Sequence, residues 1–406
     1  MGEKVVLAYS GGLDTSVIVK WLDNKGYDVI CASVDLGQEM EKGIKEKALA
    51  SGAKKFFLID AKKEFVEDGV FQCLKANAKY EGKYLMGTSI ARPFISKKLV
   101  EVAKEEGTNI IAHGATGKGN DQCRFELTAA ALMPDVKIIA PWRDKGFREL
   151  IPGRIEAIDF AKKNGIPVSA TKEKPWSNDD NIAHKSSEAG MLEDPMAKPL
   201  EDMYTLTSHP KFVGEESGEI TISFKDGIPV ALNGKKMGGV ELLTELNSIG
   251  KKHGIGILDM VENRFVGIKS RGVYEAPGVT ILYIAHNDLE GICMDRDLMH
   301  LRDSLIPEYA KLVYNGFWCG REFHALNKLV DASQIGVSGE VKLELYKGNC
   351  IPVGRSSEFS LYDESISTME KGGDFNQDDS TGFLKINSLP LKIQSKINKK
   401  LGIELI

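Results

Sequence analysis

The chain has 406 residues, 42% of them hydrophobic and 27% charged, with a formal net charge of −5. That length and balance predict a globular protein of two domains and a tail; the acidic excess speaks against a protein that coats nucleic acid. Six cysteines without a C-x-x-C pair speak against a disulfide framework or a zinc site, and no apolar run is long enough to span a bilayer.

The first segment, "MGEKVVLAYS", has no signal-peptide layout, and Val6 stands where an N-myristoylation pattern wants Ser or Thr, so the expected compartment is the cytoplasm. "KVVLAYS" reads as a buried strand, and "TSVIVKWLDNKG" as a helix closed by Gly26. "YDVICASVDLG", "KKFFLID", "NIIAHGA" and "VKIIAPW" read as further strands with helical stretches between them, one running to about Gly107 and one starting at Asp121. Buried strands alternating with helices predict an α/β domain: a parallel sheet covered on both faces, with ligands bound beyond the carboxyl ends of its strands. Two glycine-rich turns, Ser10–Gly12 and His113–Gly117, fall on that same rim.

Near Ile166 to Asn181 the pattern breaks into the polar, proline-bearing "PVSATKEKPWSNDDN", a crossing into an α+β domain. "EITISFKDGIPVALNG" reads as a hairpin turning at Asp226-Gly227, "VKLELYKGNCIPVGR" as another, and "DLMHLRDSLIPEYAKLVYNG" as a long helix. The domains are expected at 1–168, 169–362 and 363–406. In the tail, Ser388 can cap a short basic helix with Pro390 in its first turn and Ile393, Ile397 and Leu401 along one face. That stripe can pack on its own subunit or clasp a neighbour.

"AYSGGLDTS", Ala8 to Ser16, raises the chemical question. Glycines 11 and 12 between a strand and a helix let backbone N–H groups converge on an anion, helped by the helix N-terminus and by hydroxyls at Ser10, Thr15 and Ser16. A Walker A loop needs a lysine for terminal phosphoryl transfer, and this turn has none. "HGATGKGND" is no substitute: Gly119 follows Gly117-Lys118, and Ala112 stands where the first glycine belongs. A lysine-free turn suits holding the β/γ-pyrophosphate as a leaving group with the α-phosphorus open to attack. Asp14 is tolerable there if Mg²⁺ lies between it and the phosphates, or if it supports the loop amides. The bland alternative is a capped turn before a helix.

"SGGLDTS" resembles the signature of N-type ATP pyrophosphatases, whose fold is the adenine nucleotide alpha hydrolase type. Nearly end to end, through "YLMGTSIARP", "HGATGKGNDQCRFE", "APWR", "PWSNDDN", "VENRFVGIKSRGVYEAPG" and "LYD", the chain resembles the argininosuccinate synthase family. The resemblance implies ligation of L-citrulline to L-aspartate with ATP and Mg²⁺, release of AMP and diphosphate through a citrullyl-adenylate, and a homotetramer with exchanged C-terminal segments. It assigns ATP to Ala8, Tyr9, Ser10, Gly11, Gly12, Leu13, Asp14, Thr15 and Ser16, with Val34 and Gly114. It assigns aspartate to Thr116, Asn120 and Asp121, and citrulline to Tyr84, Ser89, Asn120, Arg124, Ser177, Ser186, Glu262 and Tyr274. Asp14 and Asp121 are the candidate catalytic residues.

The residue types suit that chemistry. Arg124 can clamp a carboxylate in two-pronged fashion, Glu262 can balance an ammonium, and Asp121 can hold the aspartate amine and receive its proton. Each also has a bland reading. Asp121 suits any helix N-terminus, Glu262 can pair with Arg264 or Arg271, and Asn178, Asp179 or Asp180 can cap a helix beside Ser177 and Ser186. His113, His184 and Cys123 need no catalytic role. The rival functions are a tRNA-modifying or glutamine-dependent adenylating enzyme of the same superfamily and a non-catalytic nucleotide-binding protein. The first lacks the cysteine pair and basic face it would want, and in the second Gly2 stands where a terminal cysteine nucleophile belongs.

Overall fold

The computed structural model of the protein describes residues 2–167, 176–370 and 372–404. The chain forms two compact units, Met1–Phe359 and Ser360–Ile406.

Five strands, β1 (Lys4–Ala8), β2 (Asp28–Asp35), β3 (Lys55–Asp60), β4 (Ile110–Ala112) and β5 (Lys137–Ile139), pair in parallel in the order β3-β2-β1-β4-β5. β1 shows why these runs are apolar throughout. Val5 and Leu7 meet Val17, Ile18, Trp21 and Leu22 of helix α1 (Leu13–Asn24) on one face. Val6 joins Ile30, Ile111 and the Leu99, Val100 and Ala103 side chains of helix α3 (Gly87–Glu106) on the other. A short helix, α2 (Ile44–Ala50), precedes β3, and α4 (Asp121–Leu132) follows β4. The chain leaves β1 towards β2 on one side and later returns to β4 on the other, so β1 and β4 flank the sheet's topological switch point. Both glycine turns open there, where such sheets leave a crevice for ligands.

Two antiparallel sheets complete the first unit. β6 (Ser177–Asn181), β7 (His184–Glu188), β11 (Ile257–Asn263) and β12 (Lys269–Glu275) pair in the order β11-β12-β7-β6. β8 (Gly218–Lys225), β9 (Ile228–Leu232), β10 (Lys235–Lys236), β13 (Gly339–Tyr346) and β14 (Asn349–Ser356) pair in the order β10-β9-β8-β13-β14. Both expected hairpins are present, turning at Asp226-Gly227 and Lys347-Gly348 with positive φ at all four residues. Helices α5 (Gly239–His253), α6 (Pro277–Cys293) and α7 (Arg296–Asn315) share a core with both antiparallel sheets and with Ile90 and Phe94 of α3.

The expectation that Asn178, Asp179 or Asp180 caps a helix is corrected: all three lie on β6, paired antiparallel with β7. The hairpin wins because its connection is bolted down from outside. Ile182 N–H donates to Leu36 O (2.9 Å), Asn247 Nδ2 donates to Ile182 O (2.7 Å), and Asn181 Oδ1 accepts from the amides of Ala183 and His184. Residues 168–175 of the expected crossing lie outside the described residues.

In the second unit the long helix α8 spans Asp379–Leu401, so its start is also corrected. Ser388 and Pro390 are interior, and the Ser388 hydroxyl returns to Lys385 O (2.8 Å) instead of capping an end. Asp379 supplies the acidic first turn that a helix N-terminus favours.

Gly37, beyond β2, has φ +92°, and a Cβ built there would lie 2.6 Å from Ile182 Cβ. Gly37→Ala combines a strained backbone with overpacking, so it should lower unfolding stability by about 2–4 kcal/mol, read as a lower urea midpoint at unchanged m-value.

Candidate active site

The turn after β1 is preassembled. Ser33 Oγ donates to Tyr9 O (2.6 Å), the Tyr9 hydroxyl meets Ser16 Oγ (3.0 Å), and Ser16 Oγ donates to Gly12 O (2.9 Å). Ser10 Oγ and Thr15 Oγ1 lie 3.2 Å apart, and Gly11 adopts φ +83°. Gly12 is the N-cap of α1 and no side chain closes that end, which leaves the helix N-terminus open to an anion. Burial pushes the Tyr9 hydroxyl up to about 12, against a smaller opposing effect of the Ser16 hydrogen bond, so Tyr9 is a neutral strut. Asp14 faces the cleft. Dehydration by its surroundings raises its carboxyl above the ordinary range, offset in part by Arg154.

Two cavities open from this rim. One of about 430 Å³ is lined by Ala8, Tyr9, Ser10, Asp14, Thr15, Val34 and Gly114, together with Ala32, Gln38 and Met40. The other, about 240 Å³, is lined by Tyr84, Thr116, Asn120, Asp121, Arg124, Ser177, Ser186, Glu262 and Tyr274. They share Arg92, Gly114, Ala115, Asp121, Asn178 and Asp179, and so form one cleft. Nearly all the residues expected for three ligands therefore converge. Of the rest, Gly11, Gly12, Leu13 and Ser16 belong to the same turn and helix start without lining the cavity. Ser89 is fully buried and lines neither cavity, its hydroxyl without a partner.

A chain of alternating charges crosses the junction. Arg92 of α3 reaches Asp121 Oδ2 through Nε (2.9 Å) and Asp179 Oδ2 through Nη2 (2.8 Å). Asp121 Oδ1 accepts from Arg124 Nη1 (2.9 Å), whose Nε donates to Tyr314 O (2.8 Å). Burial would raise the Asp121 carboxyl, but the guanidinium groups of Arg92 and Arg124 outweigh it and hold it below the usual range. Asp121 is therefore a fixed anion and a weak base, which counts against its receiving a proton. Arg124 spends two of its five N–H groups on these bonds and keeps the others for a ligand.

Glu262 settles its own alternative. Arg264 pairs with Glu188 (2.6 Å) and Arg271 with both oxygens of Asp259, so neither arginine takes Glu262. Its Oε2 is buried without a hydrogen-bond partner, and burial raises the carboxyl, partly offset by Tyr314, Arg124 and Tyr274. An acceptor left unpaired at the wall of a polar cavity fits a bound ammonium.

Sequence reasoning missed Arg92, Asp179 and Thr88. Thr88 Oγ1 donates to Asp179 Oδ2 (2.9 Å) and lies 2.7 Å from His184 Nε2. The only available signal for Arg92 was its place in "YLMGTSIARP", one helix turn past Thr88. Both histidines are structural. His113 Nδ1 accepts from the Ala115 amide and its Nε2 meets Glu126 (3.0 Å), bracing the second glycine turn. His184 stacks on Tyr274 with ring centroids 5.9 Å apart.

The parallel sheet with an open helix end at its switch point, beside a cavity lined by charges of both signs, defines a nucleotide-binding α/β class. Residues 4–167 match the family model "Arginosuccinate synthase N-terminal HUP domain" and residues 176–394 match "Arginosuccinate synthase C-terminal domain". The argininosuccinate synthase of Thermotoga petrophila is 52% identical over 405 residues, covering 98% of this chain and 99% of that protein. That of Desulfatibacillum aliphaticivorans is 53% identical over 399 residues, covering 98% and 99%. A solved 4-thiouridine synthetase–RNA complex with bound ATP overlaps 40% of this chain and 41% of that one at 18% identity and a TM-score of 0.28, too slight to carry an argument. The chain belongs to the argininosuccinate synthase family.

Burial depresses the His184 imidazole from 6.5 to about 4. A base whose folded pKa is depressed stabilises the fold above its unfolded value and loses that contribution as pH falls, because only the unfolded chain takes up the proton. The protein should therefore lose about 3 kcal/mol between roughly pH 6.5 and 4 through this residue. His184→Gln should shrink the difference between urea midpoints at pH 7 and pH 4.5.

Proposed function

We propose that this cleft joins L-citrulline to L-aspartate at the expense of ATP, releasing AMP and diphosphate. Membership of the family makes the chain a ligase of that type; the assignment of its residues is our reading. The observation that carries it is the six-residue junction between the two cavities, with Arg92 at its centre.

In this reading, the turn Ala8–Ser16 holds the β- and γ-phosphates at the open end of α1, Val34 bounds the adenine side, and Gly114 lets the nucleotide approach β4. Mg²⁺ would enter with the triphosphate and neutralise its charge. Among the described residues no group of three or more ligating side chains stands ready for it, so phosphate and water oxygens would supply most ligands and Asp14 one carboxylate. Citrulline would lie against the stacked Tyr84 and Tyr274 rings, with its carboxylate on the free N–H groups of Arg124, its ammonium on Glu262, and Ser177 and Ser186 beside it. Ser89 would act indirectly. Aspartate would take Thr116 and Asn120, with Asp121 orienting its amine.

The ureido oxygen then attacks the α-phosphorus, and the bond to the bridging oxygen breaks to release diphosphate. AMP is now attached through the ureido oxygen. The aspartate amine attacks the ureido carbon, AMP departs with the oxygen, and the amine proton passes to solvent or phosphate. Arg92, at the point where the phosphorus and ureido groups meet, stabilises the negative charge that grows in both steps. Residues 1–168 would thus serve the nucleotide and 169–362 the amino acids. The 363–406 tail, whose α8 buries none of its residues, would join copies into a cytoplasmic homotetramer.

Purified protein with ATP, Mg²⁺, citrulline and aspartate should form AMP and diphosphate in equal amounts, with AMP dependent on both amino acids. ADP and orthophosphate as products would overturn the reading. Arg92→Met should lower kcat by about 100-fold or more while the ATP KM moves little. Asp14→Asn should slow the pre-steady-state release of diphosphate, and an unchanged rate would remove Asp14 from the phosphate grip.

A further inference from the structure

A second cavity of about 430 Å³ lies behind the tyrosine wall of the citrulline site, on the other side of Tyr84 and Tyr274, which line both. Its walls are mostly apolar, including Leu85, Leu258 and Ile284, but two lysines of the turn before α3 line it, Lys79 and the exposed Lys83. Lys79 is half-buried, with its ammonium 5.5 Å from the centre of the Tyr283 ring. Neither lysine has a carboxylate or other acceptor at bonding distance among the described residues, although the chain carries an excess of acidic groups. Partial burial lowers the Lys79 ammonium, opposed only by the more distant Glu290 charge. A half-buried cation with only a tyrosine ring for company gains most from an anion brought with its own apolar body. Nothing in the proposed reaction uses this chamber.

We propose that it is a binding site for a small anionic amphiphile, with its carboxylate or sulfonate on Lys79 and Lys83 and its apolar body against Leu85, Leu258 and Ile284. Because Tyr84 and Tyr274 stack with centroids 4.3 Å apart between the two chambers, an occupant behind them alters how citrulline packs in front. The coupling rests on the citrulline assignment above; the binding site does not.

The test uses the full-length protein and 1-anilinonaphthalene-8-sulfonate as the probe. The probe should bind one site per chain with enhanced fluorescence, undisplaced by ATP and unaffected by Asp14→Asn. Lys79→Met should weaken its Kd by about tenfold or more, and Ile284→Trp, which fills the chamber, should remove the enhancement. Saturating probe should shift the citrulline KM at least threefold while leaving the ATP KM unchanged. Displacement by ATP, or equal binding to the wild type and Lys79→Met, overturns the site. An unmoved citrulline KM with the site intact overturns the coupling. Loss of AMP formation in the absence of probe would instead count against the proposed function.

Discussion

The site depends on the bridge that Arg92 makes between Asp121 and Asp179. The three residues come from α3, the start of α4 and strand β6, which are distant in sequence; α3 and α4 pack together on one face of the parallel sheet, and β6 belongs to a different sheet. A guanidinium largely shielded from water is favoured when its charge is matched, and breaking one side of such a pair leaves an uncompensated charge. Burial disfavours the charge on Arg92, but the two carboxylates outweigh it and keep the group ionised. Thr88 fixes the far oxygen of the bridge, and Arg124 continues it to the Tyr314 carbonyl at the end of α7. One continuous set of charge-assisted bonds thereby holds the nucleotide sheet, the small antiparallel sheet and α7 in register around the cleft.

That arrangement also explains a phosphate turn without a lysine. In this cleft the fixed cation stands at the junction with the amino-acid cavity and not within the turn. The outer phosphates would meet backbone amides and the open end of α1, which hold without drawing charge towards the terminal phosphorus. Arg92 would instead favour charge at the inner phosphorus. Placement of charge, more than any acid or base, would choose the bond that breaks.

The parallel sheet was legible because its central strands β1, β2 and β4 are buried on both faces, which forces unbroken apolar runs. The residues expected for the amino acids came from family resemblance, and the structure brings most of them to one cavity, with a buried Glu262 oxygen that lacks a well-formed hydrogen bond. What was illegible depended on partners remote in sequence. Arg92 in "SIARPFISKK" looks like any helical cation until Asp121 and Asp179 face it. "SNDDN" carries strong turn and cap signals, which lost to the ladder with β7 and to the anchor from Ile182 to Leu36. In the tail, Ser388-Leu389-Pro390 gave a sound local start signal. The proline was nevertheless absorbed inside a helix of 23 residues that begins at Asp379.

The titrating groups around the amino-acid cavity favour chemistry by position. Asp121 is held low by its two arginines, and His184 stays neutral down to about pH 4 because it is buried. Burial drives the Tyr84 and Tyr274 hydroxyls upward, so both remain protonated donors near neutrality. Glu188 and Glu262 move upward from the acid side, again through burial, and Glu262 gains most from a cationic partner. General acid–base catalysis works best with a group poised near the working pH. A neutral ureido oxygen attacking phosphorus has little need of one, because its proton need not leave before the bond forms. A rigid set of charges is sufficient for such a step, and this cleft is built around one.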